Sequence, residues 1–426
     1  MRPSRIGAAA GANRPKRPNF RLRNARPYAT DAALCGGSGP CKLAFLPHTP
    51  GGRVDKIDQS NADAGCTPGR LVFNGSGDFI RTVRTRADAY FAGRKRRDDP
   101  RLYRKAVIIL AWFFASYALF LTTETLWVQA LLCVSYALAA AAVGFNIFHD
   151  AIHGSFSSSQ RVNAFVSRLS CCVLGAGRYF WWYKHNVLHH RFTNIFEWDD
   201  DIETRGSLRM SPRQPWEPKF KNQHRWFFVL YGLTTLEWVL VKDFAQYFTL
   251  RINPYQSIPP LSPREKQEFW ICKAIYFAAF IILPFLVMPV GHAIAGLLIF
   301  HFTLSLSLAF IFNLAHAIEK TDFPAPSGNP ATIEDEWAAH QMRTTANFAT
   351  DNRLLNWFTG GLNFQIEHHL FPGICHTHYR ALRDMVRTTA TEFGLPYHNY
   401  DTYIGTVRSH FRIMRTLGTE PARAAA

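Results

Sequence analysis

The stretch Lys184-His185-Asn186-Val187-Leu188-His189-His190 holds three histidines within six residues. On an α-helix His185 and His189 lie one turn apart on the same face, and His190 is rotated by about 100° from His189. Imidazoles arranged in this way can bind one metal ion or be shared between two neighbouring ions. The stretch therefore predicts a helix that carries metal ligands.

Two further histidine clusters accompany this stretch. One is His149-Asp150-Ala151-Ile152-His153, and the other is Gln365-Ile366-Glu367-His368-His369. For 17 histidines in 426 residues, chance alone gives roughly 0.7 HxxxH pairs but only about 0.03 HxxxHH patterns. A single HxxxH pair is therefore no signal, whereas the combination of the three clusters indicates a functional site.

Composition narrows the class of protein. The net charge of +17 suggests either a nucleic acid or an anionic membrane as partner, and the long apolar runs favour the membrane, so we expect no nucleic-acid partner. The eight cysteines are scattered without a CxxC motif, which is typical of reduced, packed thiols. No apolar run like that of a signal peptide opens the chain, so we expect the N-terminus to stay on the side of synthesis.

Four apolar runs are each close to the roughly 20 residues that a helix needs to cross a bilayer. Short connections make them two antiparallel hairpins, and neither turn contains Lys or Arg. The positive-inside rule then places both turns outside, with both termini and all the histidine clusters on the cytoplasmic face. The predicted spans are residues 106–121, 126–148, 269–290 and 292–314.

Two shorter apolar stretches, 162–182 and 226–250, are interrupted by charges and are predicted as helices that lie at the membrane interface. The polar chain after residue 376 is predicted as a cytosolic helical cap. The fold class predicted from these patterns is an all-α integral membrane protein with four transmembrane helices.

The remaining boundaries follow from composition. Residues 1–75 are rich in Arg, Pro and Ala and are predicted to be a disordered basic segment, with a transit peptide or an over-long gene start as alternatives. Residues 76–104 are predicted as a cytosolic, exposed helix before the membrane. A membrane-bound domain follows over 105–418, and 419–426 form a tail.

The chemistry of the clusters follows from the number of imidazoles. Imidazole suits iron, copper or zinc rather than Mg²⁺ or Ca²⁺, and a structural zinc site needs only four ligands, usually with cysteine. Two irons beside apolar helices suggest activation of O2 and removal of hydrogen from a hydrocarbon, because acid–base chemistry cannot break an unactivated C–H bond. Eight histidines are expected to converge, enough for two ions: His149, His153, His185, His189, His190, His316, His368 and His369.

By these motifs the chain resembles the membrane-bound fatty acid desaturases. The likeness covers about residues 105–418, and Gln365-Ile366-Glu367-His368-His369-Leu370-Phe371-Pro372 is similar to the third box of the front-end type, also called the linoleoyl-CoA desaturase-like group. The resemblance implies a di-iron centre, O2 as co-substrate and an electron donor. It also implies that the eight histidines bind iron, with His316 as the isolated ligand after the fourth span, while Gln365 stands where many desaturases have histidine.

Acidic and amide side chains near the boxes are candidates for orienting the ligands, because a ligating histidine usually donates its other N–H to an acceptor. Solvated surface charge is the alternative for two of them, Asp199 and Asp200. The full candidate set is Gln365, Asp150, Asp199, Asp200, Glu367 and Asn313.

Electrons are expected to come from a separate protein, either a ferredoxin or a free cytochrome b5 with its reductase. Some front-end enzymes carry a fused cytochrome b5 domain with a His-Pro-Gly-Gly signature. Here the sequence His48-Thr49-Pro50-Gly51-Gly52 has an inserted residue and lies in a segment too short for that domain.

The other histidines receive no ligand role. His301 is expected to pack or to hydrogen-bond Ser305, and His376 and His378 are left outside the metal set because they follow Pro372-Gly373. The remaining ones are expected at the surface or in packing: His224, His292, His340, His398 and His410.

The resulting hypothesis is a fatty acyl desaturase that inserts a cis double bond into a chain carried on CoA, on an acyl carrier or on a lipid. A hydroxylase or an acetylenase on the same di-iron scaffold is the nearest alternative. A metal-handling membrane protein is the alternative of another class, and a catalytically inactive relative acting as a partner subunit is a third.

Overall fold

The computed structural model describes residues 71–420. Most of the predicted basic segment 1–75, the His48-Thr49-Pro50-Gly51-Gly52 sequence and most of the 419–426 tail lie outside the described residues. Residues 71–73 belong to the fold: Leu71 is buried, and the strand Val72–Phe73 pairs in parallel with the strand Thr332–Ile333. The boundary predicted at residue 75 therefore falls within the described fold.

The described chain is mostly helical and contains four helices long and apolar enough to cross a membrane, as predicted. We call them spans one to four. They are Pro100–Thr122, Leu126–Ile152, Pro263–Val287 and Val290–His316.

Spans one and three begin earlier than the apolar runs suggest, because each helix starts at its capping residue and not at its first hydrophobic one. The Asp99 carboxylate accepts a hydrogen bond from the backbone N–H of Arg101 at 2.8 Å, and Pro100 occupies the first helical position. Span three starts with a capping box between Ser262 and Glu265. The first turn of each helix is polar, so the apolar run in the sequence does not mark it as part of the span.

Span two is the centre of the membrane-spanning part, with 72% of its apolar window buried, compared with 33%, 22% and 39% for spans one, three and four. Its run Ala139-Ala140-Ala141-Ala142 is fully buried, and small residues let neighbouring helices approach closely. Spans one and four both pack against it. The pairing of the spans as two hairpins stays a prediction.

The two stretches predicted to lie at the interface are each divided. The first forms Gln160–Leu174 and Arg178–Trp182, and the second forms Phe227–Glu237, a π-helical turn Trp238–Lys242 and Asp243–Thr249. A buried ion pair ties them to span three, because the Lys273 ammonium lies 2.8 Å from an Asp243 carboxylate oxygen. The described residues outside spans one to four contain no further helix that meets the length and hydropathy of a membrane span.

The helix predicted over residues 76–104 is shorter than expected and is not exposed throughout. It runs over Asp78–Tyr90 and buries Phe79, Val83 and Ala87 against the helix Tyr379–Glu392. A turn follows, and span one begins at Pro100. The prediction missed the break because the basic run at 94–97 looks like the polar end of a continuous helix.

The rest of the polar part consists of further, mostly short elements. They are the helices Trp337–Thr344, Arg353–Phe358, Gln365–Leu370 and Tyr403–Leu417, the 3-10 turns Pro218–Phe220, Gln223–Arg225 and His376–His378, and the parallel strand pair Asn347–Phe348 and Asn399–Tyr400.

Candidate metal centre

The helices that carry the first two histidine boxes contain π-helical turns next to the histidines. Span two passes through the turn Gly144–Phe148 immediately before His149, and the second box lies in the π-helical segment Tyr183–His189. Such turns are rare and occur frequently at functional sites. The second box is therefore not the regular α-helix that its HxxxHH spacing predicted.

The π-helical turn changes which histidines face each other. It brings residues five apart together, and the Nε2 atoms of His185 and His190 lie 3.2 Å from each other. His189 is directed to a different group of ligands. One short segment thus supplies imidazoles to two neighbouring positions.

The first group, which we call cluster one, contains His149, His153, His185 and His368, each offering one ring nitrogen, all within 4.8 Å of one another. The second group, cluster two, contains His189, His316 and His369 under the same limit. The three boxes and the end of span four therefore meet although they are far apart in the sequence.

His190 lies between the two clusters. Its ring centroid is 4.7 Å from that of His185, 4.6 Å from that of His368 and 4.4 Å from that of His369. All eight histidines singled out in the sequence are thus in one connected group. This position would allow His190 to complete the coordination of either ion.

The outer ring nitrogens of four histidines have polar partners. These contacts hold each ring so that its Nε2 faces inward, as is typical of metal-ligating histidines. Nδ1 of His189 lies 3.0 Å from Asp199 Oδ1, Nδ1 of His316 lies 3.2 Å from the Thr344 carbonyl oxygen, Nδ1 of His368 lies 3.1 Å from the Tyr379 hydroxyl, and Nδ1 of His369 lies 2.7 Å from Gln341 Oε1.

Among the eight histidines, four have an inner nitrogen that is buried without a hydrogen-bond partner among residues 71–420: Nε2 of His153, His316, His368 and His369. Leaving a buried polar atom unsatisfied costs about 1–3 kcal/mol. Four such atoms converging on one small space fit metal ions, which would take their lone pairs as ligands. The residues present therefore fit the metal centre that the motifs imply.

The electrostatics favour neutral imidazoles, the form that binds metal. Burial lowers the pKa of His185, His190, His368 and His369 well below the usual range, and the neighbouring rings add to this effect. His189 differs: burial would lower its pKa, but the carboxylates of Asp201 and Asp199 outweigh that effect and raise it. On balance, nearby carboxylates therefore stabilise the protonated form of His189, unlike that of the four rings named above.

The candidate orienting residues have different surroundings. Asp199 contacts a ring, as described above, whereas Asp200 lies 3.1 Å from the Lys242 ammonium and contacts no imidazole. The Glu367 carboxylate accepts hydrogen bonds at 2.8 Å from Asn347 and from the Tyr397 hydroxyl, and burial raises its pKa to about 7. Asn313 donates to the backbone of its own helix, and Gln365 is buried at the start of the helix of the third box.

Asp150 contacts a histidine outside the predicted metal set. Its Oδ2 lies 2.9 Å from Nδ1 of His376, whose Nε2 lies 3.1 Å from the Lys105 ammonium. His376 is therefore buried beside the first histidine box, and Asp150, which follows His149 in the chain, links the two. Nothing in the spacing could reveal this contact, because 226 residues separate its two partners.

Sequence reasoning also missed Gln341, Thr344 and Tyr379, which hold the outer nitrogens of three rings. None of these residues stands in a recognisable motif, and Thr344 acts through its backbone carbonyl. Only the folded chain brings them to the boxes.

Of the histidines predicted to lie in packing or at the surface, His301, His340 and His410 are buried, and the others are half-buried. His301 contacts the hydroxyls of Thr235 at 2.9 Å and Tyr276 at 3.2 Å, and Ser305 joins the same group through Thr235. His410 lies between the Tyr231 hydroxyl and the Ala317 carbonyl. Both arrangements are structural contacts within the helix packing.

An apolar cavity of about 450 Å³ opens next to the histidines. His185 of cluster one and His316 of cluster two line its inner end, and Trp181, Leu308 and Phe312 are among its walls. The cavity also reaches Thr235 and Ser305, and charged residues, including Lys184 and Lys242, are part of its lining. It can therefore hold an apolar chain against both clusters.

Comparison with known proteins agrees with this geometry. The family model for fatty acid desaturases matches residues 125–401. The chain is 37% identical over 358 residues to the sn-1 linoleoyl-lipid 6-desaturase of Synechocystis sp., covering 83% of this chain and 99% of that protein.

Two eukaryotic relatives are similar over most of the chain. The acyl-lipid (8-3)-desaturase of Physcomitrium patens is 34% identical, covering 80% of this chain and 72% of that protein. The acyl-lipid (8-3)-desaturase of Mortierella alpina is 30% identical, covering 93% of this chain and 90% of that protein. The chain therefore belongs to the fatty acid desaturase family, a metal-dependent family of membrane oxidoreductases that introduce double bonds into fatty acyl substrates.

Proposed function

We propose that this desaturase is a front-end acyl-lipid desaturase with a di-iron centre, which uses O2 to insert a cis double bond into an acyl chain of a membrane lipid. One observation carries the proposal: clusters one and two both open onto the same apolar cavity, through His185 and His316. A hydrocarbon in that cavity lies within reach of two metal ions at once.

In this proposal His149, His153, His185 and His368 hold one iron, and His189, His316 and His369 hold the other, with His190 between them. Bound iron would supply the activation of O2 that an unactivated C–H bond requires. The described residues Asp199, Thr344, Tyr379 and Gln341 orient the ligands through the outer ring nitrogens.

The walls of the cavity bind and align the acyl chain. Trp181, Leu308 and Phe312 offer apolar surface that excludes water from the space beside the histidines. Span four contributes both His316 and Ser305 to the lining, and these positions are about 16 Å apart along the helix axis, room for roughly a dozen methylene groups. That length suits the methyl-side part of a long chain whose reacting carbons lie near its carboxyl end.

The lipid-bound form of the substrate is supported by the relatives. The names of all three specify desaturases acting on lipid-linked acyl chains. An acyl chain already in the bilayer needs only to enter a cavity between membrane helices. A chain on CoA or on an acyl carrier is the alternative.

The electron donor in this proposal is a separate protein, a ferredoxin or a cytochrome b5 with its reductase. Both termini and the metal centre would face the cytoplasm. The concentration of Lys and Arg outside the predicted turns supports this orientation.

The first test is the iron content of the detergent-purified protein. We expect close to two irons per chain in the wild type and a clear loss in His189→Ala, because that ring is one of the three histidines of cluster two. His292→Ala, in the first turn of span four and outside both clusters, is the matched control and should keep its iron. Zinc alone, or no bound metal in folded protein, would overturn the di-iron proposal and favour a metal-handling or inactive protein.

The reaction itself is tested by mass spectrometry of deuterium-labelled acyl lipids after incubation with O2 and reduced ferredoxin. Desaturation removes two hydrogens from the substrate, so that the product is lighter by their mass, whereas a hydroxylase on the same scaffold adds one oxygen. A triple-bond product would identify an acetylenase.

A further inference from the structure

A second pocket, separate from the acyl cavity, lies where span one begins. Arg101, Arg104 and Lys105 from the first turns of that span meet Arg353 and Arg380 from two helices of the polar part. They surround an open space of about 410 Å³, which we call the basic pocket. Within the described part of the chain, no acidic residue lines it, and it shares no lining residue with the acyl cavity.

The positive charge of the basic pocket is only partly balanced. Asp99 lies 2.6 Å from Arg101, and Asp351 lies 3.8 Å from Arg380. Among residues 71–420, Arg104, Lys105 and Arg353 have no carboxylate oxygen within 4.0 Å. Three cations therefore face one space without a salt-bridge partner among residues 71–420, and the carboxylate that compensates Lys105, Asp150, lies on the far side of His376.

Lys105 is the most unusual of the three. Its side chain is buried, the residue being only 8% exposed, and its ammonium lies 3.1 Å from His376 Nε2 and 5.5 Å from the centre of the Trp357 ring. An ammonium held in this way keeps little contact with water, so its charge acts strongly on an anion that enters the pocket. The pocket is thus a formed site with a buried cation at its base.

Exposed apolar residues, which we call the apolar rim, lie in the basic pocket's lining or directly beside it in the chain, and Ile108 is the one that lines the pocket itself. One turn beyond Arg104, Val107 and Ile108 are 68% and 56% exposed, and Leu354 beside Arg353 is 77% exposed. In a bilayer such side chains are covered by lipid chains, and the tryptophan in the lining suits the depth of the head groups. The cations therefore lie at the level of lipid phosphates, with acyl chains expected directly beside them.

From this arrangement we propose that the basic pocket binds the phosphate of an anionic phospholipid. Arginine matches the geometry of phosphate oxygens with paired N–H donors, and Arg104 and Arg353 have their donors free for this purpose among the described residues. The apolar rim accounts for a lipid in preference to free phosphate, because it offers the acyl chains a surface. The site stands apart from the proposed catalytic cavity and does not depend on it.

The test measures lipid retention by native mass spectrometry of the full chain purified in detergent. The probes are phosphatidylglycerol, phosphatidylcholine and inorganic phosphate. We expect the wild type to retain one phosphatidylglycerol in preference to phosphatidylcholine. In the double variant Arg104→Gln/Arg353→Gln that preference should fall roughly 30-fold, because each basic side chain near an anionic lipid surface raises the affinity by about fivefold.

The matched control is Arg225→Gln/Arg415→Gln, which removes the same charge from two exposed arginines outside the basic pocket. It should keep the wild-type preference, and thermal unfolding should show that both double variants remain folded. Equal loss in the control would overturn the proposal in favour of general charge attraction. Displacement of the lipid by an equal concentration of inorganic phosphate would overturn the lipid part of it.

The same variants distinguish a lipid from an acidic protein partner. If Arg104→Gln/Arg353→Gln weakened binding of reduced ferredoxin but left phosphatidylglycerol retention unchanged, the pocket would be a protein docking site and the proposal would be wrong. Loss of lipid preference with unchanged ferredoxin binding would support it.

Discussion

At the scale of single residues, the metal centre depends on the hydrogen-bond partner of each imidazole's outer nitrogen. The Asp199 carboxylate contacts Nδ1 of His189 at 3.0 Å. It also accepts hydrogen bonds from the backbone N–H groups of Asn194 at 2.8 Å and Asp201 at 2.9 Å. These backbone contacts fix the carboxylate, so the imidazole is aimed by a rigid partner. Asp200, its neighbour in the chain, is equally buried but contacts lysines.

Asp199→Asn should therefore lower iron affinity by about 10–100-fold, the usual effect of losing the partner of a ligating histidine. The matched change Asp200→Asn should have a much smaller effect, since no ring contacts that side chain. Competition with a chelator, followed by metal analysis, measures both. Equal loss in the two variants would contradict an orienting role for Asp199.

At the scale of elements, the second histidine box works because its helix is not a regular α-helix. The π-helical segment Tyr183–His189 widens the turn, so that His185 and His190 face each other and His189 serves cluster two. Span four contributes to both parts of the site in a different way. It carries His316 at its end and lines the acyl cavity through Ser305, Ala309 and Phe312.

Ala309→Phe should close the acyl cavity, because a phenyl ring at this wall position occupies the space proposed for the chain. We expect formation of the desaturated product to fall at least about tenfold, with iron content unchanged, because the ligands lie further along the helix. Product analysis and metal analysis on the same preparation separate the two effects. Ala118→Phe, on an exposed face of span one, is the control and should retain activity.

If Ala309→Phe lost its iron, the residue would support the ligands and not only the cavity wall. If product formed at the wild-type rate, the acyl chain would lie elsewhere.

At the scale of the whole molecule, buried neutral histidines make stability dependent on pH. His410 lies in the helix Tyr403–Leu417, and burial lowers its pKa to about 4, against a smaller opposing effect of the Ala317 carbonyl. Because the pKa is lower in the folded state than in the unfolded one, the unfolded chain binds the proton more tightly. The contribution of His410 is therefore complete above pH 6.5 and is lost as the pH falls toward 4.

From pH 7 to pH 5, the free energy of unfolding should fall by about 2 kcal/mol more in the wild type than in His410→Gln. Glutamine keeps a neutral donor and acceptor between Tyr231 and Ala317 but cannot take up the proton. Unfolding of both proteins, with their metal removed by the same chelator, should be compared at the two pH values. Parallel profiles would show that the pKa of His410 does not differ between the folded and unfolded states, which would contradict the prediction.

The sequence by itself determined the class of fold, the four spans and which eight histidines lie together, because hydropathy and motif spacing are local properties of the chain. A run of about 20 apolar residues can hardly be anything but a membrane helix, and the three boxes are specific as a set. The ends of the spans were less accurate, since helices start at capping residues such as Asp99 and Ser262, before the apolar residues begin.

Only the tertiary structure decided how the histidines divide into two clusters and what holds them. The π-helical form of the second box, the contact between Asp150 and His376, and the support of His369 by Gln341 are all absent from any local pattern. The physical reason is that hydrogen bonds and ion pairs depend on distances in space, and their partners here are separated by up to 226 residues along the chain. The basic pocket is of the same kind, since its five cations come from three separate helices.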